Sequence, residues 1–219
     1  MRRWFKLLPW IAGLAGYMIK LRPKMIRWHA TDEEVNASRP GDEIVPDPAF
    51  RTTRAISIQA PPYRVWPWLV QLGQGRGGFY SYDWIENLFG YDIHSADEII
   101  GEWQGLEVGD MIRMSPGIGP QTRVEAITPN HDLILKFLIV EKMEGGPDGG
   151  PLISEEWPGT WSFHVRPQGA SGSRLVVRTR YARHPSFVMG LFYRVVIEPL
   201  HFIMEQKMLR GIKERAEKN

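Results

Sequence analysis

The stretch from Gly73 to Ile99, GQGRGGFYSYDWIENLFGYDIHSADEI, can be read into two different folds. Four glycines (Gly73, Gly75, Gly77, Gly78) run into a segment of rings and acids: Phe79, Tyr80, Tyr82, Asp83, Trp84 and Glu86. Asp92, His94 and Asp97 follow. Gly73-x-Gly75-x-x-Gly78 matches the dinucleotide-binding fingerprint, with Asp97 near the place of a ribose-binding acid. That fingerprint needs a strand before the glycines and a helix after them, inside a parallel βαβ unit. Here Pro61-Pro62 and the spacing of Val65, Leu69 and Leu72 predict a helix before the glycines, over Tyr63–Leu72, kinked at Pro67. The residues after Gly90 lack the β-branched run of a second parallel strand. The glycines are therefore expected to turn the chain sharply between two short helices and to pass close to neighbouring backbone. The second helix is predicted over Tyr80–Phe89, ended by Gly90. Arg76, exposed in such a loop, could greet an anionic ligand group.

On either side of this stretch the period is two. Thr53–Ile58 reads as a strand before the helices. Beyond about Val108, Gly109–Met114, Gln121–Ile127, Asp132–Glu141, Gly159–Arg166 and Ser173–Tyr181 are strand candidates. Turn residues separate them, among them Gly145–Pro151. Ser186 is a plausible N-cap for a long closing helix to Ala216, with a bend at Pro199. Helices and strands are segregated, so the class is α+β. The expected architecture is a curved antiparallel sheet of about six or seven strands wrapped on the closing helix, enclosing a volume. Alternation puts Trp161, Phe163, Val165, Val177, Thr179 and Tyr181 on the inner face. It puts Ser162, His164, Arg174, Arg178 and Arg180 on an opposite, solvated face.

The 219 residues suffice for one domain plus extensions, at a formal charge of +2. Every charged residue from Met1 to Trp28 is basic, and Leu7–Ile19 is an uncharged apolar run between Lys6 and Lys20. Residues 1–28 are read as a membrane anchor or interfacial helix, against a signal sequence or a helix packed on the domain. Residues 29–50, with Pro40-Gly41, Pro46 and Pro48 among acids, read as an exposed linker to a domain at 51–217. No basic stripe tracks phosphates, so nucleic acid is not an expected partner. There is no cysteine, so thiol chemistry and thiolate metal sites are excluded. No cofactor and no metal is expected.

Thr53–Ile58 followed by Ala60-Pro-Pro-Tyr-Arg-Val-Trp-Pro-Trp-Leu-Val-Gln71 resembles the opening of the START-like, or SRPBCC, superfamily. That superfamily includes polyketide cyclase/dehydrase-like proteins and the birch-pollen-allergen fold. The Gly75–Trp84 segment and Met208-Leu-Arg-Gly-Ile-Lys213 look like a bacterial branch of it, over roughly Arg51 to Glu217. The resemblance implies a helix-grip fold. It leaves function open, because lipid carriers, receptors, cyclases and oxygenase subunits share the fold.

The leading expectation is a pocket for a hydrophobic or amphipathic small molecule, such as a lipid, isoprenoid or polyketide, held at a bacterial inner membrane through residues 1–28. A cytoplasmic location is the alternative. Rings offer large contact area with few donors, so the wall is predicted from Trp84, Trp161, Phe163, Tyr181, Phe192 and Val196, with Phe79 and Tyr80 at the mouth. The rival is an enzyme of cyclase or dehydratase type. In it Tyr82, Asp83 and His94 or His201 handle protons, with Asp83 or Glu86 desolvated at the rim. His94 and Asp97 could also form a hydrogen-bonded pair bracing the loop. A third possibility is a membrane-tethered interaction module whose interior is filled by its own side chains.

Overall fold

A computed structural model describes residues 8–142, 152–155, 159–182 and 186–218; the turn predicted at Gly145–Pro151 and the basic start through Leu7 lie outside the described residues. The chain opens with a helical rod made of α1 (Leu8–Gly16), one π-helical turn (Tyr17–Leu21) and α2 (Arg22–Ile26). A short helix α3 (Asp32–Asn36) follows. The Thr31 side chain accepts from the Glu34 amide and Glu34 reaches back to the Thr31 amide, closing a capping box. Strand β1 (Phe50–Ile58), helix α4 (Pro62–Val70) and helix α5 (Asp83–Leu88) come next. Strands β2 (Met111–Ile112), β3 (Gly119–Thr128), β4 (Asp132–Lys142), β5 (Leu152–Glu155), β6 (Gly159–Gln168) and β7 (Gly172–Tyr181) form the sheet with β1. The chain closes with α6 (Phe187–Phe192), a π-helical turn (Tyr193–Ile197) and α7 (Glu198–Glu217).

The sheet is antiparallel and curved, in the order β1-β7-β6-β4-β3-β2, with β5 paired to β4. The class is α+β, as the segregation of periods predicts. The inner face is the expected one. Trp161, Phe163, Val165 and Val177 are buried with Ile56 and Ile58 of β1, under Val65 and Leu69 of α4 and Leu209 and Ile212 of α7.

Pro199 shapes the closing helix in an unexpected way. It sits in the first turn of α7, and the interruption falls before it, as the π turn at Tyr193–Ile197. Proline has no N–H for the carbonyl four residues back and its ring crowds that carbonyl, so the preceding turn widens. The N-terminal rod runs beside this turn. The Tyr17 hydroxyl donates to the Arg194 carbonyl at 2.6 Å, and Arg22 pairs with the buried Glu198 at 3.1 Å.

The outer face is not solvated. Ser162, His164, Arg178 and Arg180 are buried and Arg174 is half-buried. Residues 31–46, expected to be an exposed linker, lie across them as a strap. Arg178 donates to the carbonyls of Glu34, Val35 and Ala37 and to Asp42 at 2.6 Å. Arg180 donates to the carbonyls of Val45 and Pro46 and pairs with Asp42 at 3.0 Å. Arg174 holds Glu34 at 2.7 Å, which keeps that carboxyl below the usual range even though burial pushes it up. Alternation assigns residues to a face but is silent on what lies over that face.

Removing one partner of a buried ion pair leaves the other charge and several carbonyls unmatched. Arg178→Ala should therefore cost about 3 kcal/mol of unfolding free energy in urea titration. It should also expose residues 31–46 to limited proteolysis. Arg178→Lys, which keeps the charge but loses the planar fork, should fall between the two.

Candidate functional site

A cavity of about 410 Å³ lies between the sheet, the segment after the glycine loop and the start of α7. This is within the usual range of small-ligand pockets. Phe137, Trp161 and Tyr181 supply the sheet side, and the rings of Phe137 and Tyr181 stack at 5.1 Å. Ile197, Leu200, Met204 and Met208 supply the helix side, spaced three and four apart as one helical face requires. Phe79, Ile85, Phe89 and Tyr91 close the third side. Phe89, Tyr91 and Leu200 are also exposed to solvent, so they mark the mouth.

The glycine loop positions this third wall. Gly73 and Gly78 bridge each other, and Gly73, Gly75 and Gly78 all have positive φ. A Cβ on Gly77 would stand 2.8 Å from the Gln71 carbonyl oxygen, and one on Gly78 2.8 Å from that of His94. The loop is thus a tight turn with close backbone approach, the structural role expected of it. Arg76 is turned inward, donating to the carbonyls of Val70 and Trp103, and does not face a ligand. Gly211 lets α7 press on this loop, since a Cβ there would come 2.4 Å from the Tyr80 carbonyl oxygen.

Besides the phenols of Tyr91 and Tyr181, two carboxyl groups and one imidazole line the cavity: Glu86, Glu205 and His201. One of them is hydrogen-bonded within the protein. Glu205 accepts from Arg54 at 2.5 Å and from the Trp161 indole at 2.9 Å, and His201 Nε2 stands 3.6 Å from it. Burial pushes the Glu205 carboxyl up, but Arg54 and then His201 pull harder, and the net shift is downward. Burial lowers His201, and Glu205 does not reverse this, so its ring stays neutral near pH 7. His201 Nδ1 and Glu86 Oε2 are both buried with no hydrogen-bond partner, and burial, then the Asp83 charge, raise the Glu86 pKa to about 7.

Of the sequence-predicted wall, Phe79, Trp161 and Tyr181 line the cavity, and His201 joins them. Phe163 is fully buried in the core against Trp161, at 4.8 Å between rings. Tyr80 is buried outside the cavity, edge-on to Trp68 and beneath Arg215, with a left-handed φ of 54°. Burial raises its hydroxyl. Trp84 is 69% exposed, because the turn of α5 that points Ile85 and Glu86 inward rotates its neighbour outward. Phe192 and Val196 are exposed as well. They are one residue out of phase with the lining series that begins at Ile197.

Nor do the other proton-handling candidates reach the cavity. Tyr82 precedes α5, and Asp83 accepts from the Ser95 amide at 2.8 Å and hydroxyl at 2.6 Å, bracing the loop. His94 is exposed and pairs with Asp92 at 3.0 Å, not with Asp97, which Arg215 holds at 2.8 Å. The sequence reading missed Glu205 and Arg54. A signal existed: Arg54 shares the inward set of β1 with Ile56 and Ile58, and an arginine there demands a buried acid.

No family model and no curated protein matches the chain. Solved structures of bacterial proteins overlap it at low identity. A conserved protein from Geobacillus kaustophilus is 16% identical over 76% of this chain and 95% of that one, with a TM-score of 0.43. Protein CV1439 from Chromobacterium violaceum is 10% identical over 77% and 98%, at 0.43. Protein Ms6760 from Mycobacterium smegmatis is 13% identical over 75% and 88%, at 0.39. At these identities and scores the likeness assigns neither family nor function.

Glu86 gives the site a pH signature. Its folded pKa of about 7 lies above the ordinary 4.5, so the fold favours the protonated acid. Its contribution is complete below 4.5 and is lost as pH rises through about 7. Urea midpoints of the wild type should fall between pH 5 and pH 8, and Glu86→Gln should flatten that slope. An unchanged slope in the variant would remove Glu86 from the explanation.

Proposed function

We propose that this protein binds a hydrophobic or amphipathic small molecule, such as a lipid, isoprenoid or polyketide-like compound, in the cavity under α7. The observation that carries the reading is the cavity wall. It is aliphatic and aromatic on all three sides, and the charge of Glu205 is matched within the protein by Arg54 and Trp161. Such a wall rewards shape and apolar area, while a single free acid orients one polar end of the guest. The order of sheet, short helices and closing helix supports placing the chain in the START-like superfamily, where cavities of this kind recur. The apolar run at Leu7–Ile19, with basic flanks, supports tethering at a bacterial inner membrane through residues 1–28.

A second reading rests on Glu86. A desolvated carboxyl with a pKa of about 7 is suited to general acid–base work, and a cyclase or dehydratase would need such a group beside its substrate. His201, neutral and across the cavity, would be its partner.

Native mass spectrometry of gently purified protein is the deciding measurement. The wild type should carry a co-purifying apolar compound. Ile85→Trp, which fills the mouth from α5, should lose it while unfolding within about 1–3 kcal/mol of the wild type. Trp84→Ala, on the exposed side of the same helix, should keep it. Absence of any guest in wild type and Trp84→Ala alike would count against a carrier.

A further inference from the structure

The first half of the closing helix is apolar on its outside. Phe187 and Val188 are 85% and 73% exposed, and Met189, Phe192, Val195 and Val196 are exposed with them. In a folded domain a patch of this kind is covered by something. The helix Phe187–Glu217 is long and apolar enough to cross a membrane, and its most apolar stretch is almost wholly unburied. The N-terminal rod runs beside it in the same direction, as the Tyr17–Arg194 and Arg22–Glu198 contacts require. Leu14, Ile19 and Leu21 of that rod are exposed too. The two helices therefore present adjoining apolar exteriors, which also carry the exposed basic residues Lys20 and Arg194.

Charge identifies what covers it. All seven charged residues of the first 28 are basic, and the next acid in the chain is Asp32. Within Leu8–Ile26 and residues 187–203, which carry the exposed apolar surface, the one acid is Glu198, and it is buried and paired with Arg22. A second copy laid on this surface would bring two all-basic segments together. An anionic lipid surface offers apolar depth and negative headgroups at once.

We propose that the start of the closing helix, Phe187 to Val196, is itself a membrane-inserting element. It acts jointly with the N-terminal rod and seats the cavity mouth against an anionic bilayer. Leu200, one turn beyond Val196, belongs both to the exposed apolar surface and to the mouth, so a guest would pass between bilayer and cavity without crossing water. The inference extends the membrane tethering proposed above and is independent of what the cavity holds.

The absence of cysteine makes the test clean. Full-length Val188→Cys and Leu14→Cys proteins carry one environment-sensitive fluorophore each. Both are mixed with vesicles of phosphatidylglycerol and phosphatidylcholine, or of phosphatidylcholine alone, with spin-labelled lipids as quenchers. Both probes should shift to the blue and be quenched by lipid in the anionic vesicles, and added salt should weaken binding. Phe187→Asp, at a fully solvated position, should lower the vesicle partition coefficient about tenfold without changing the urea midpoint. Lipid quenching at Leu14→Cys but not at Val188→Cys would overturn the inference and leave tethering by residues 1–28 intact. Quenching at neither position would overturn both. A Val188→Cys probe already buried without vesicles, in a dimer, would show that a second copy covers the surface and would likewise overturn it.

Discussion

Arg54 and Glu205 meet at 2.5 Å in the interior, each with a side chain almost wholly removed from water. Taking two charges out of water costs several kcal/mol per ion, and further hydrogen bonds to the pair offset part of that cost. Glu205 also accepts from Trp161, and Arg54 Nε donates to the Met25 carbonyl at 2.9 Å. The Phe202 ring lies 5.3 Å from the Arg54 guanidinium. One ion pair therefore joins β1, β6, α7 and the end of the N-terminal rod.

Its position along α7 divides the helix into two regimes. C-terminal to Glu205, Met208 is buried while still lining the cavity, Leu209 and Ile212 are buried in the core, and Gly211 brings the helix against the Tyr80 backbone. N-terminal to it, Met204, His201, Leu200 and Ile197 stand off from the sheet and face the cavity. Interiors otherwise pack without voids of this size. A buried pair that fixes the helix-to-sheet spacing at one point allows the near half to close while the far half stays open. The same far half carries the apolar exterior, which is why the cavity mouth and the exposed helix surface adjoin.

Two segments that look like connectors hold this arrangement from outside. The strap of residues 31–46 covers the outer face of the sheet and satisfies three arginines that would otherwise be buried or exposed at a cost. The glycine loop turns between α4 and α5 and fixes where Phe79 and Glu86 stand. Both rely on backbone groups: carbonyls receive the arginines, and glycine permits the close approach. Backbone partners leave no trace in a hydropathy pattern.

Local pattern determined a good deal. Period-two runs, the Pro61-Pro62 helix start and the Ser186 cap gave an antiparallel α+β architecture with a closing helix, and strand alternation named Trp161 and Tyr181 as inward. These depend on residues a few positions apart, so the chain carries them explicitly. Tertiary structure alone decided the rest. Trp84, Phe192 and Val196 face outward because helix phase is set by what the helix packs on, and the π turn before Pro199 shifts it. Arg178 and His164 are buried because a distant segment lies over them. Glu205 became the centre of the interior because Arg54, 151 positions away, is folded against it. Facing, covering and pairing across such separations are properties of packing, and no local period encodes them.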